Sequence, residues 1–334
     1  MACYTISHIF PDALSADMCQ IGDDIWVIQR LAGYKFRMDK WNIISREWES
    51  IDFKNRQLIE DSRGAPESIV KFIITSSKGM IYMWRDYGQC RRLFQFDTTT
   101  LEWKLLFNET WNKIFTSFFI LDNTMYVNSV KREFYLIFMD TVSAEERKFP
   151  DIFPQNPNID MAMCKCDGSP FLVYIDRDGN RDLSKYDRER EHYLGVGIYP
   201  TGTYRDYLKY TGVDRKCRTF AWSYNNKIYH GLHFPDENTL IVDRFDMATT
   251  AWTTIFKTTN TTNDIMNMIG NDKEIYVIFK MRQGITIRVI DIQPTLEILS
   301  LVRIVNDIDT DIDMIPHGLR QRYENMVEYK GIQQ

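Results

Sequence analysis

Lys227-Ile228-Tyr229 … Phe245-Asp246-Met247-Ala248-Thr249-Thr250-Ala251-Trp252 is the stretch that decides the fold. An apolar–aromatic pair opens a strand, an aromatic–Asp pair closes the next, and a tryptophan follows the aspartate by six residues. The same phrase returns as Met80-Ile81-Tyr82 … Phe96-Asp97 … Trp103 and, without the last aromatic, as Glu274-Ile275-Tyr276 … Ile290-Asp291. Fainter copies are Asp24-Ile25-Trp26 … Trp41-Asn42 … Trp48, Thr124-Met125-Tyr126 … Met139-Asp140 and Ser169-Pro170-Phe171-Leu172 … Tyr186-Asp187 … Tyr193. The repeated Asp/Asn falls at 42, 97, 140, 187, 246 and 291, with spacings of 55, 43, 47, 59 and 45 residues. A supersecondary unit of this size cannot bury its own apolar face and has to stack on its neighbours.

Each unit resolves into four short runs rich in Ile, Val, Tyr, Phe and Thr, the residues of pleated, half-buried strands. Asn225-Asn226, Asp122-Asn123, Asp167-Gly168 and Asn271-Asp272 are turn dipeptides that tolerate the positive φ a two-residue hairpin requires. Four antiparallel strands repeated six times predict an all-β, six-bladed β-propeller. A pair of β-sandwiches would not repeat the same Asp-to-Trp phase. The blades span roughly 18–52, 68–107, 116–150, 159–199, 217–257 and 265–305 within a single domain, 1–315. Cys3–Phe10 alternates like a strand, and Glu297–Val305 can complete the last blade; one of them closes the ring. Pro316–Gln334 reads as a tail or short helix.

The units resemble kelch repeats. Phe245-Asp246 … Trp252 and Phe96-Asp97 … Trp103 are similar to that family's blade ending, and Ile81-Tyr82, Ile228-Tyr229 and Ile275-Tyr276 to its second-strand opening. Where the family carries a Gly-Gly doublet, this chain has Arg85-Asp86, Leu232-His233 and Phe279-Lys280. The resemblance covers roughly residues 18–305. It implies a β-propeller that works by protein binding, as a scaffold or as the substrate receptor of a ubiquitin ligase.

Of 334 residues, 44% are hydrophobic, 26% charged and 14% aromatic, the composition of an ordered globular chain. The net charge of −5 is mild and the Lys and Arg are scattered, so no nucleic-acid footprint is visible. No run approaches the length of a membrane-spanning helix, and the first residues lack the basic flank and apolar core of a secretory leader. Six cysteines spread thinly along the chain read as reduced thiols, and the expectation is an intracellular protein, cytoplasmic or nuclear.

Strand order sorts the loops. First-to-second and third-to-fourth turns leave on one side of the ring, and second-to-third loops leave with the blade-to-blade connections on the other. The second side varies most in length, and binding residues concentrate on variable loops held by a rigid scaffold. Candidate partner-binding residues there are Arg85, Tyr87, Arg91, Arg132, Arg177, Arg181, Tyr204, Arg205, Tyr207, Tyr210 and Phe234, the aromatic and arginine types of interface hot spots.

Catalytic or metal chemistry is hard to find. His230 and His233 sit three apart on a strand, which sends the rings to opposite faces. Cys164-Lys165-Cys166 puts two thiols on one face, with no second Cys/His pair at zinc-site spacing. Asp307–Asp313 lacks the turn glycine and terminal glutamate of a calcium loop, and Asp176–Asn180, though it has the polar density of a calcium or sugar loop, reads as a long hairpin turn. No cofactor, metal or catalytic residue is assigned. The reading is a non-enzymatic protein-interaction module with a protein partner, no nucleic acid and no membrane insertion. Two alternatives stay open: a propeller enzyme acting on a small polar or sugar substrate at the central channel, and a structural subunit of a larger assembly.

Overall fold

The repeated Asp/Asn has a local task. Asp97 Oδ1 accepts the backbone N–H groups of Thr99 (2.8 Å) and Thr100 (3.2 Å). Asn42 does the same for Ile44 (3.0 Å) and Ser45 (2.9 Å), and Asp246 for Ala248 (2.9 Å). Such side-chain-to-backbone bonds bend the chain into a tight turn. The turn ends in a left-handed residue four positions on, at Arg46 (φ 61°), Leu101 (φ 57°) and Thr250 (φ 52°). This geometry returns the chain antiparallel and sets the aromatics on either side directly opposite each other: Trp41 with Trp48, Phe96 with Trp103, Phe245 with Trp252. Their ring centroids lie 5.3, 5.0 and 5.2 Å apart, within the range of favourable aromatic pairs.

The computed structural model describes residues 4–60, 71–86, 91–109, 115–129, 134–139, 143–145, 161–175, 181–187, 189, 192–198, 218–259, 264–281 and 284–292. Strand β1 (Tyr4–Phe10) comes first. Blade 1 follows with β2 (Ala13–Ile21), β3 (Asp24–Leu31), β4 (Phe36–Asn42) and β5 (Glu47–Ile51). A short helix α1 (Arg56–Glu60) leads to blade 2: β6 (Lys71–Ser77), β7 (Met80–Asp86), β8 (Arg91–Asp97) and β9 (Glu102–Glu109). Blade 3 is β10 (Phe115–Leu121), β11 (Thr124–Ser129), β12 (Phe134–Phe138) and a fourth strand β13 of only Ser143–Glu145. Blade 4 is β14 (Ala162–Cys166), β15 (Ser169–Ile175), β16 (Arg181–Asp187) and β17 (His192–Ile198). Blade 5 is β18 (Arg218–Tyr224), β19 (Lys227–Phe234), β20 (Thr239–Asp246) and β21 (Ala251–Thr258). Blade 6 holds β22 (Asp264–Gly270), β23 (Glu274–Met281) and β24 (Gly284–Asp291).

These strands form six separate four-stranded antiparallel sheets, and in five of them the strand order is the chain order. Blade 6 is ordered β1-β24-β23-β22, so the N-terminal strand supplies its outermost member. The closing strand is thus Tyr4–Phe10, and blade 1 starts at Ala13, further upstream than the repeat pattern indicates. Glu297–Val305 and Pro316–Gln334 lie outside the described residues. The first strands β2, β6, β10, β14, β18 and β22 pack on one another in turn, and β22 returns to β2. The result is a closed six-bladed β-propeller.

Period-2 alternation explains the opening pair of each second strand, because adjacent side chains leave a sheet on opposite faces. Ile81 enters the seam between blades 1 and 2 while Tyr82 enters the seam between blades 2 and 3. Ile228 and Tyr229 divide likewise between the seams on either side of blade 5, and Ile275 and Tyr276 between those of blade 6. All six seams hold an apolar cluster. Register shifts opposite Leu93/Phe94, Leu183/Ser184 and Val242/Asp243 leave Leu106, Val196 and Ile255 as extra residues on the outermost strand, each turned onto the following seam. Lys54 bridges Glu102 in parallel and donates its N–H to Leu101 O (2.8 Å), so the connection after blade 1 covers part of blade 2's outer edge.

Trp103 is 1% exposed and joins the turn to the seam, so Trp103→Ala should cost about 3–5 kcal/mol in urea unfolding, as large core truncations do. Gly284 has φ 126°, and a Cβ there would lie 2.5 Å from Phe10 O and 2.8 Å from Pro11 Cα. Gly284→Ala should therefore lower the melting temperature and reduce hydrogen-exchange protection first in β1.

Candidate functional site

The two sides of the ring differ in how their backbone groups are satisfied. One side carries the hairpin turns with left-handed Gly22, Gly79, Asn123, Gly168 and Asn226, together with the Asp/Asn-capped turns described above. There the polar backbone is met by the chain's own side chains. On the opposite side lie the 3-10 turns Ala32–Tyr34 and Pro235–Glu237, while helix α1 lies along the outer edge between blade 1's β4 and blade 2's β9. The strands flanking the connections 52–70, 146–161 and 199–217 also end on that side.

Helix α1 is pinned to the start of β4 by charge-assisted bonds. Glu60 Oε1 accepts the N–H of Phe36 (3.1 Å), and Arg56 donates to Phe36 O (3.1 Å) while lying 4.4 Å from the Phe53 ring centroid. Asp236 is exposed at the tip of the second 3-10 turn.

Several predicted partner-binding residues belong to strands rather than loops. Arg85 is the penultimate residue of β7 and fully buried, its guanidinium 4.9 Å from the ring centroid of Phe36 in the neighbouring blade. Arg91 opens β8, is 2% exposed, and has Nε 3.5 Å from Asp86 Oδ2. Phe234 ends β19 and is buried. These three stiffen the base of the variable side instead of presenting themselves on it, because their strands run further than the loop boundaries read from the turn residues. Arg181 starts β16, paired with Ile175. Tyr87, Arg132, Arg177, Tyr204, Arg205, Tyr207 and Tyr210 lie outside the described residues.

The axis holds a polar network that the repeat pattern does not disclose. Asp17 on β2 accepts the N–H of Met18 (2.9 Å) and, from blade 2, that of Ile74 (2.7 Å); from blade 6, Asn267 Nδ2 donates to the same carboxylate. One side chain thus ties three blades. Burial pushes its pKa up from 3.8 to about 7 against the opposing effect of these three donors. Ser76 donates to Gln20 O (2.7 Å), Lys165 Nζ reaches from blade 4 to Ser76 O in blade 2 (3.2 Å), and Ser223 donates to Lys165 O. Burial lowers the pKa of Lys165.

The remaining polar candidates are structural in their placement. Cys164 and Cys166 are buried in the seam between blades 4 and 5, and burial raises both thiols, Cys166 to about 11. His230 turns toward Trp252 in that seam, ring centroids 6.3 Å apart, while His233 sits opposite Arg218 on the other face of the blade. Burial lowers His233 to about 4, so it stays neutral. Among the described residues no group of three or more His, Cys, Asp or Glu side chains could hold a metal ion. No helix among them is long and apolar enough to cross a membrane.

With this geometry established, the ring can be set beside known proteins. No protein-family model matches the chain, and no curated protein does. Among solved structures, AofleA from Arthrobotrys oligospora is similar over 85% of this chain and 86% of its own, at 10% identity and a TM-score of 0.53. What the two share is the fold. The SapL1 lectin, solved in complex with alpha methyl fucoside, matches over 86% of this chain and 98% of its own, at 9% identity and a TM-score of 0.49. BamB from Moraxella catarrhalis covers 82% of this chain at 11% identity, with 71% of its own length and a TM-score of 0.36.

The sign of the Asp17 effect is testable. A carboxyl whose folded pKa lies above its unfolded value contributes stability that is full below about pH 3.8 and is lost as pH rises through about 7. Asp17→Asn cannot ionise. Denaturation midpoints should show a wider gap between wild type and variant at about pH 5 than at about pH 8; a gap independent of pH would mean that the carboxylate is charged throughout.

Proposed function

We propose that the protein is a non-catalytic interaction module, a rigid ring that binds a protein or peptide through the side carrying the blade-to-blade connections. The observation that carries this reading is the inequality of the two sides. The capped-turn side uses Asn42, Asp97 and Asp246 to satisfy its own N–H groups, which leaves it little to offer a partner. On the other side end the strands that flank the blade-to-blade connections, and exposed turn residues such as Lys35 and Asp236 lie there. The axial groups support the same reading: Asp17, a carboxylate near the axis, is taken up by three donors instead of being poised toward a substrate.

The kelch-like phrasing of the repeats points to a scaffold or a substrate receptor, within an intracellular complex. Tyr204, Tyr207 and Tyr210, with Arg205 between them, have the composition of hot-spot anchors in the connection from blade 4 to blade 5. The test is affinity capture from the source cells with three baits: wild type, a Tyr204→Ala/Tyr207→Ala/Tyr210→Ala variant, and Ile44→Asp on the capped-turn side, where Ile44 is 75% exposed. Partners should be retained by wild type and Ile44→Asp and lost from the triple variant at unchanged melting temperature. Loss with Ile44→Asp alone would move the binding side to the opposite face.

A further inference from the structure

We infer that blade 6 can take its outermost strand from a second copy of this chain, giving a strand-exchanged dimer. In the described structure β1 pairs with one neighbour, β24, from Tyr4↔Ile290 to Phe10↔Ile285. The ring does not need this strand to stay shut near its axis. Strand β22 packs on β2, Asn267 of blade 6 donates to Asp17 and to Met18 O (3.1 Å) of blade 1, and Arg46 pairs with Glu274. β1 is therefore a separable element on an already closed inner ring.

The interactions that seat β1 are transferable. His8 stacks on Trp48 with centroids 4.5 Å apart, Phe10 meets the same indole edge-on at 5.8 Å, and the Arg37 guanidinium lies 5.9 Å from the Phe10 ring. A β1 from another copy offers the same side chains to the same acceptor, so each interaction broken on opening re-forms on exchange. Exchange of an identical element is a low-cost route to a dimer for this reason.

The hinge favours the exchange. Only Pro11 and Asp12, both exposed, separate β1 from β2. The proline biases Phe10 toward extended backbone, and the link is crowded against Gly284, whose missing Cβ would lie 2.8 Å from both Pro11 Cα and Pro11 O. Short hinges under such constraint promote swapping, because the open form straightens them.

The test uses the full chain in two variants, Ile9→Cys and Thr286→Cys, at positions paired directly across β1 and β24. Neither variant alone can form this cross-link. Held together at high concentration, then oxidised with glutathione disulfide, they should give a covalent heterodimer absent from either variant by itself, with the link between the two introduced thiols located by peptide mapping. The doubly substituted chain, diluted before oxidation, reports whether the pair can bond at all. Monomers only in the mixture, with an internal link in the double variant, would overturn the inference. Should the thiols fail to join in either setting, native mass spectrometry of mixed isotope-labelled and unlabelled wild type decides. A mixed dimer in which cross-links join β1 of a labelled copy to β24 of an unlabelled one supports exchange; a monomer, or a dimer whose β1–β24 links all lie within one copy, overturns it.

Discussion

A ring of blades has one joint that sequence order does not make, and everything else in this molecule depends on it. Here that joint lies between blades 6 and 1 and is made at three depths. Near the axis Asn267 donates to Asp17; in the middle, Met18, Val27, Tyr276 and Ile278 form a buried apolar cluster; toward the outside, Trp48 receives His8 and Phe10. Each blade has two apolar faces, so an unclosed stack would leave one face of each terminal blade in water. Closure removes both exposed faces at once. The other seams hold apolar clusters of their own, and Asp17 at the hub fixes three blades at one height.

The same economy separates the two sides of the ring. Turns capped by Asn42, Asp97 and Asp246 are self-contained: their donors are satisfied within three residues. A side built this way is stiff and chemically quiet. The opposite side is where the strands flanking the blade connections end, and its fixed points are buried arginines and aromatics such as Arg85 over Phe36. Rigidity below and variation above is the arrangement on which recognition loops depend.

What is legible in the sequence follows from interaction range. The turn aspartate, its left-handed partner four residues on and the facing aromatics all act within one hairpin, so they recur at fixed spacing and reveal the blade and its count. The opening pair, Ile then Tyr, is equally local. The hub is not legible because Asp17 and Asn267 are 250 positions apart and neither belongs to the repeat. The closing strand is ambiguous in sequence because Cys3–Phe10 and Glu297–Val305 are both strand-like, and alternation does not report which edge a strand will meet. Arg85 and Arg91 look like loop residues because polar character suggests exposure. Their strands continue to Asp86 and begin at Arg91, and a guanidinium can be buried against an aromatic face.

The N-terminal position of the closing strand also sets an order of events during synthesis. β1 is made before every other strand of the ring, yet its partner β24 begins only at Gly284. At about 5–20 residues per second that interval lasts roughly fifteen seconds to a minute. Throughout it, an unpaired strand ending in Ile9 and Phe10 waits beside blades that are already folding. Translation speed, and any chaperone that shields a nascent edge, therefore act on this ring at its closing strand.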